Sequence, residues 1–374
     1  VSVLTDDLLD RIRSRAAGYD RDNAFFAEDL DELRAAGYLA PRSLLETARD
    51  QRLLARYAPA TALGVNMHHV WVGVARVLRD RGDHSLDGVL AEAEAGELYA
   101  FGNSEAGNDL VLWDSLTTAE TVDGGYAFTG TKIFTSLAPA WTRLGVFGKQ
   151  QDGPDGPRLV HGFVRRATPE TPVDGLTTLD DWDTLGMRAT QSRTTKLDRV
   201  VVADADVSRL LPVGPNADPF VFGIFSNFLL LIGSVYAGIA DRALELAVEA
   251  AQKRTSLKNG GATYATDPDI RWRLADAALA LDGLRPELEG LARDVDELVN
   301  HGGDWFRYLT GAKHRATETA RTVVDQALRV AGGGGYRSAS ELARLQRDVL
   351  AGIYHPSDTE SVHATVATNL LGPL

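Results

Sequence analysis

The helical spacing of apolar residues in this chain stops near residue 98 and resumes only after Pro219, and no other feature restricts the possible folds as strongly. Before the interruption, Leu4, Leu8, Leu9 and Ile12 recur at helical intervals, as do Leu30, Leu33 and Ala36 ahead of a stop at Gly37. Within it, short runs rich in Thr, Val and aromatic residues take over. The clearest is LTTAETVDGGYAFTGTKIFTS. Thr117, Ala119 and Thr121 alternate with polar positions, Asp123-Gly124-Gly125 supplies turn chemistry, and Tyr126 and Phe128 resume the alternation, which predicts a β-hairpin. DWDTLGMRATQSRTTKLDRVVV, residues 181–202, predicts a Gly-Met-Arg turn followed by two strand-forming runs, Lys196-Leu197 and Val200-Val201-Val202, on either side of Asp198-Arg199. Gly153-Pro154 and Gly156-Pro157 predict a surface loop.

Beyond Pro219 helices return. Asp267-Pro268 reads as an N-cap with proline at the first helical position. From Ile270 through Leu274, Ala277, Leu281, Leu284, Leu288, Leu291 and Val295 to Leu298, steps of four and three predict one long apolar seam, kinked by Pro286. A second seam of small residues, Ala316, Ala320, Val323, Ala327 and Val330, ends at the four glycines 332–335. The expected order is a helical unit over 1–97, a β unit over 98–212 and a helical bundle over 213–374.

Composition narrows the chemistry. With no cysteine, the chain has no thiolate nucleophile, disulfide or Cys-ligated metal. A net charge of -13 opposes nucleic-acid phosphates and anionic membranes. The acidic, amphipathic N-terminal stretch does not read as an export signal, and no apolar run is expected to reach the ~20 residues a membrane span requires, so a cytoplasmic protein is expected. Gly332–Gly335 follows a predicted helix where a dinucleotide fingerprint would follow a strand. His68 and His69 are adjacent on a predicted helix, so their side chains diverge and suit packing better than metal binding; no metal site is expected. The loops FGNSEAGND (101–109) and KIFTSLAP (132–139) are rich in small hydroxyl and amide side chains. On local grounds these could simply satisfy their own backbones.

Taken in order, these segments resemble the acyl-CoA dehydrogenase superfamily. FGNSEAGND is similar to its aromatic-x-x-Thr-Glu-Pro-Gly loop, GYAFTGTKIFTS to its Lys-x-Trp-Ile-Thr hairpin, and WDTLGMRATQSRTTKLDRVVV to its Leu-Gly-x-Arg-x-Ser-x-Thr segment. VEAAQKRTS and ALRVAGGGGY resemble a bundle helix ending in arginine and a Gly-Gly-x-Gly-Tyr turn. The resemblance implies an α+β multidomain fold with an N-terminal helical domain, a middle β-barrel and a C-terminal four-helix bundle, with FAD between barrel and bundle. It also implies that Phe101 and Ser104 lie near the isoalloxazine, and that Phe134, Thr135 and Ser136 give it a stacking face and hydrogen bonds. Arg254 would meet the pyrophosphate, and Gly332 and Gly333 the cofactor of a neighbouring subunit, which makes a homodimer or homotetramer.

Two departures bear on activity. The glutamate that removes the substrate α-proton in family dehydrogenases is replaced near the C-terminus by His355, and its alternative location falls near Asn227. His355 is the candidate base, with Asp358 and Glu360 as fallbacks; a structural histidine ahead of Pro356 is the competing reading. The first loop also lacks the usual proline after Glu105. The expected activity is FAD-dependent α,β-dehydrogenation of an acyl thioester, passing electrons to an acceptor. The alternative is a flavin-dependent monooxygenase on the same fold, with FMN possible and a flavin reductase as partner, hydroxylating nitrogen, sulfur or an aromatic carbon. A degenerate member that binds no flavin is the third reading.

Overall fold

The N-terminal helices begin where the sequence supplies caps. In the computed structural model, which describes residues 2–110 and 112–373, Thr5 caps α1 (Asp6–Asp22) by accepting from the Leu8 amide. After α2 (Ala27–Ala35), Ser43 and Glu46 form a capping box on α3 (Leu44–Ala55). Helices α4 (Pro59–Asp80) and α5 (Asp87–Glu94) follow. Helix α4 carries the joint to the sheet. The buried Trp71 indole donates to the Ala100 carbonyl at 3.0 Å, and its ring lies so close to Gly145 that a Cβ there would stand 2.3 Å away. Only glycine permits that approach. His68 and His69 are both buried: His68 bonds the Leu39 carbonyl at 2.8 Å and accepts from the Tyr99 amide at 3.2 Å.

Among the described residues eight strands follow: β1 (Tyr99–Gly102), β2 (Thr118–Val122), β3 (Gly125–Thr135), β4 (Arg143–Gln150), β5 (Arg158–Arg165), β6 (Leu176–Thr178), β7 (Arg193–Ala203) and β8 (Val207–Pro212). They form one sheet in the order β6-β7-β3-β2-β4-β5-β8, with β1 parallel to β4. The hairpin forms as its residues dictate: Val122 pairs with Gly125 across a two-residue Asp123-Gly124 turn, with Gly124 at φ 75°. The two runs around Asp198-Arg199 are one strand rather than two. A bulge absorbs the charged pair, with Arg199 at φ 55° and a register shift between Phe128 and Gly130 on β3. The sheet curls until β5 faces β7, where a Cβ on Gly162 would come within 2.8 Å of Val202.

Helix α6 (Pro219–Lys253), capped by Asp218, is the axis of the C-terminal bundle and packs on α3, α4 and α9. It corrects the expectation that no apolar stretch is long enough to cross a membrane: by length and composition this helix is, yet 83% of its most apolar window is buried against other helices. The seam over 270–298 is also not one helix. It divides into α7 (Pro268–Asp282) and α8 (Leu284–Asp296) because Pro286 has no N–H for the Asp282 carbonyl and its ring crowds it. Leu298 lies beyond the break in the left-handed region, 45% exposed. Asp267 caps α7 as expected, accepting from the amides of Asp269 and Ile270. Helix α9 (Trp305–Ala331) buries its small-residue seam against α6 and stops at Gly332, whose φ of 63° ends it. Helices α10 (Glu341–Leu350) and α11 (Thr359–Leu371) close the bundle against α9.

Candidate functional site

Where the sheet meets the bundle, a cavity of about 620 Å³ opens between the loop after β1, the end of β3, and helices α6, α9 and α11. Of the residues singled out in the sequence, Phe101, Ser104 and Phe134 line it, and Thr135 and Ser136 do not. Phe134 is unusual in two respects: its φ is 57°, a costly conformation for a bulky side chain, and as a residue it is 53% exposed. Trp182, from the Gly-Met-Arg segment, meets this ring edge-on at 6.1 Å. Next to it Thr135 is buried with no partner for its hydroxyl among the described residues, and next to Ser104 both amide atoms of the buried Asn103 likewise have none among them. Ser136 is already engaged: its hydroxyl lies 2.7 Å from that of Ser192, which donates to Thr190, which donates to the Met187 carbonyl.

The 181–202 segment fixes this wall to both helical layers. Asp348 on α10 accepts from the Met187 amide at 2.6 Å, the Arg188 guanidinium donates to the Asp20 carbonyl on α1, and the Gln191 amide donates to the Asn23 carbonyl. A strand-and-turn insert is needed here because one segment must hold the cavity wall against two different sets of helices.

Glu105 orders the loop over the cavity. Its carboxylate accepts from Lys132 at 2.7 Å, from the hydroxyls of Ser115 and Thr117, and from the amides of Leu116 and Thr117. Burial alone would raise its pKa, but the Lys132 charge and these donors outweigh it and hold the group at about 2. The loop is thus anchored by one buried ion pair, a role that sequence reading did not assign to Glu105.

The helix side of the cavity is aromatic, and this too went unread. Phe228 stacks on Phe101 at 6.1 Å, Trp113 stacks on Phe225 at 5.9 Å, and Phe306 meets Phe225 edge-on at 5.3 Å. The repeated phenylalanines in FVFGIFSNF carried the signal, because Phe225 and Phe228 share one helix face.

The candidate bases are placed less favourably. His355 is half-buried; its Nε2 lies 2.9 Å from the Tyr236 hydroxyl, and the neighbours Tyr354 and Pro356 line the cavity in its stead. Burial, reinforced by the nearby Lys313 charge, lowers the imidazole to about 3. Lys313 itself donates to the carbonyls of Gly352, His355 and Ser357 and so clamps the turn. Asp358 lines the cavity but caps α11, accepting from the Ser361 amide at 2.9 Å, which with the Ser361 side chain keeps its carboxyl below the ordinary range. Glu360 is exposed and outside the lining. Asn227 turns to α4: its amide donates to the Gly223 carbonyl, and its side chain fills the space a Cβ on Gly73 would need.

Arg254 and Gly332 meet one another, and neither they nor Gly333 line this cavity. Arg254 donates to the Val330 carbonyl at 2.7 Å and lies over the Tyr264 ring, and a Cβ on Gly332 would come within 2.7 Å of its guanidinium. At ~1.5 Å per residue, the 26 helical steps from Phe228 to Arg254 (254 − 228) separate the two groups by about 39 Å along α6. A wider groove, about 1010 Å³, runs between α3 and α6, but its arginines pair with carboxylates: Arg42 with Asp50, Arg49 with Glu289 and Arg52 with Asp241.

A curled β sheet between helical layers, with an aromatic cavity at the sheet-bundle junction, defines an acyl-CoA dehydrogenase type of fold. Comparison with known proteins agrees. Residues 230–357 match the family described as acyl-CoA dehydrogenase, C-terminal domain. L-evernosamine nitrososynthase of a Micromonospora species is 30% identical over 92% of this chain and 83% of that protein. The putative acyl-CoA dehydrogenase YdbM of Bacillus subtilis is 27% identical over 95% and 92%, and dibenzothiophene monooxygenase of Rhodococcus qingshengii 29% over 66% and 62%. The crystal structure of KijD3 in complex with FMN and a dTDP-linked amino-keto sugar superposes with a TM-score of 0.84 at 25% identity, over 98% of this chain and 91% of that one. The chain belongs to the acyl-CoA dehydrogenase superfamily of flavoproteins.

Proposed function

We propose that the protein is a flavin-dependent monooxygenase, the alternative in our sequence reading, rather than an acyl-CoA dehydrogenase. One observation carries this: neither position that would supply the dehydrogenase glutamate offers a base to the cavity. His355 is held neutral, bonded to Tyr236, and a group with a pKa of about 3 is far too weak to take the α-proton of a thioester. Asn227 has no basic group at all. The nitrososynthase and monooxygenase relatives support the same reading. His355 keeps a smaller role, as a neutral hydrogen-bonding group behind the turn.

The residues present fit a flavin. Phe134 offers a flat exposed face and Phe101 and Ser104 bound the cavity, while Asn103, Thr135 and Ser136 are buried outside its lining and support the wall from behind. Reduced FMN or FAD, delivered by a separate reductase, supplies two electrons, so that one atom of O2 enters the substrate and the other leaves as water. The chain's own part is to seat the ring, exclude bulk water behind the Glu105-anchored loop, and place the substrate opposite.

Arg254, Gly332 and Gly333 then serve the flavin of a neighbouring subunit, since about 39 Å of α6 separates them from Phe134's cavity. Exposed Trp272 and Leu279, seven residues apart on one face of α7, support an assembly of at least two copies. The distinguishing experiment is to mix flavin-loaded protein with a series of acyl-CoA thioesters in the absence of air. The oxidised flavin keeps its colour if this reading is right, and bleaching by any of them would return the protein to the dehydrogenases.

A further inference from the structure

We infer that Trp182 is a positioning residue for the flavin: its indole holds the exposed Phe134 ring in place, and the carboxylates on either side of it pin its backbone to the segment that follows. This rests on the flavin reading of Phe134 and deepens it, and it is independent of what the flavin oxidises.

The first observation is that Phe134 has little else to fix it. It lies one residue before the end of β3, its backbone is in the left-handed region at φ 57°, and it is half exposed, so the core holds only part of its side chain. Among the described aromatic contacts it has one partner, the Trp182 indole, which meets it edge-on at 6.1 Å with an interplanar angle of 89°. An edge-on neighbour steadies a ring while leaving its flat face free for a planar ligand. Without that neighbour, flavin binding would itself have to immobilise the Phe134 side chain, and such ordering lowers affinity. Trp182 does not line the cavity, so it acts on the flavin through Phe134.

The second observation is how Trp182 is anchored, which gives a purpose to the run Asp-Asp-Trp-Asp at 180–183. Asp180 pairs with Arg193 at 3.0 Å, Asp181 accepts from the Thr194 amide at 3.0 Å, and Asp183 pairs with Arg188 at 3.0 Å. The Asp180 and Asp183 carboxylates are largely exposed, so each of those pairs is weak alone. A shorter bond comes from the opposite side. The Asn23 amide donates to the Trp182 carbonyl at 2.6 Å, and the Asn23 carbonyl accepts from Gln191 at 2.8 Å. Asn23 ends α1 at φ 50°, a backbone that asparagine tolerates, so the last turn of α1 delivers this bond. Trp182 is therefore gripped between α1 and the start of β7, and the aromatic contact that results is the one to Phe134.

The test is titration of the whole protein with oxidised FMN, read both as affinity and as the visible circular dichroism of the bound flavin, which reports the aromatic groups around its ring. Trp182→Leu is expected to bind FMN about fivefold more weakly, the size of one lost aromatic pair, and to reduce the flavin dichroism. Trp182→Phe restores a ring and should bring the affinity back to within about twofold of the wild type. Asn23→Gly keeps the left-handed backbone but removes the amide, and should move both readings in the direction of Trp182→Leu, which gives an independent reading should that variant fold poorly. Unchanged affinity and dichroism in Trp182→Leu, or in Asn23→Gly where Trp182→Leu does not fold, would overturn the inference, as would a Trp182→Phe as weak as Trp182→Leu. A wild type that binds neither FMN nor FAD would overturn the flavin reading and this inference with it. If flavin binds and responds as expected but no substrate is oxygenated, the positioning role stands and the monooxygenase reading falls.

Discussion

The Lys313 ammonium lies 2.7 Å from the carbonyl oxygen of His355, and with bonds to the Gly352 and Ser357 carbonyls it holds the turn that bounds the cavity beside α11. A buried cation donating to three backbone oxygens fixes the position of Tyr354 and Pro356, which line the site. In place of a reactive carboxylate, the turn therefore carries an electrostatic clasp.

Lys313→Met removes three donors and leaves buried carbonyls unsatisfied. The expected loss is about 1–3 kcal/mol of stability, with faster amide exchange confined to residues 352–357. Hydrogen exchange by mass spectrometry measures both; an unchanged turn would remove Lys313 from this role.

Lys132→Met strands the Glu105 carboxylate in the interior, and a cost of about 3–5 kcal/mol is expected. Adding Glu105→Gln should recover part of it, because the uncompensated charge is then gone. Urea denaturation of the two single variants and the double variant gives the coupling directly.

His161 stacks on Phe147 at 4.9 Å with both ring nitrogens unpaired among the described residues, and burial, with a smaller push from the Lys132 charge, lowers it from 6.5 to about 3. Between these values the unfolded chain binds a proton that the folded chain does not. Stability is therefore intact above pH 6.5 and declines as pH falls toward 3. His355 acts in the same direction. His161→Leu should raise the melting temperature at neutral pH and flatten its decline between pH 6.5 and 4, which a calorimetric pH series would establish.

Gly332→Ala places a methyl group 2.7 Å from the Arg254 guanidinium, on a backbone with φ 63° that suits glycine. If Arg254 meets a neighbour's flavin phosphate, both this change and Arg254→Gln should weaken flavin retention about tenfold or more while leaving the fold intact. Flavin content after gel filtration, together with circular dichroism, decides it; full retention would separate these residues from the cofactor.

Much of the scaffold could be read from local chemistry. The Asp123-Gly124 turn, the Asp267 cap with Pro268, and the end of α9 at Gly332 are each decided by a few adjacent residues, and each formed as expected. Motif order, which carries long-range information that periodicity lacks, singled out Phe101, Ser104 and Phe134, which share one cavity, and also Thr135 and Ser136, which lie outside its lining. The misreadings have other causes. The division of the 270–298 seam is local, a full break at Pro286 where only a kink was expected, whereas the bulge at Arg199 and the burial of the long apolar α6 depend on hydrogen bonds and neighbours distant in sequence. So do the Lys313 clasp and the Glu105–Lys132 pair, whose partners lie 42 and 27 residues apart and whose spacing announces nothing.

The most direct measurement of the central claim is to mix protein carrying reduced FMN with isotopically heavy O2 and a panel of acceptors offering an oxidisable nitrogen, sulfur or aromatic carbon, and to weigh the products. One heavy oxygen atom in an acceptor's product, formed only when protein, reduced flavin and O2 are all present, is the result this account predicts. Heavy oxygen found solely in water or peroxide, from a protein whose oxidised flavin is bleached by an acyl-CoA thioester, would contradict it.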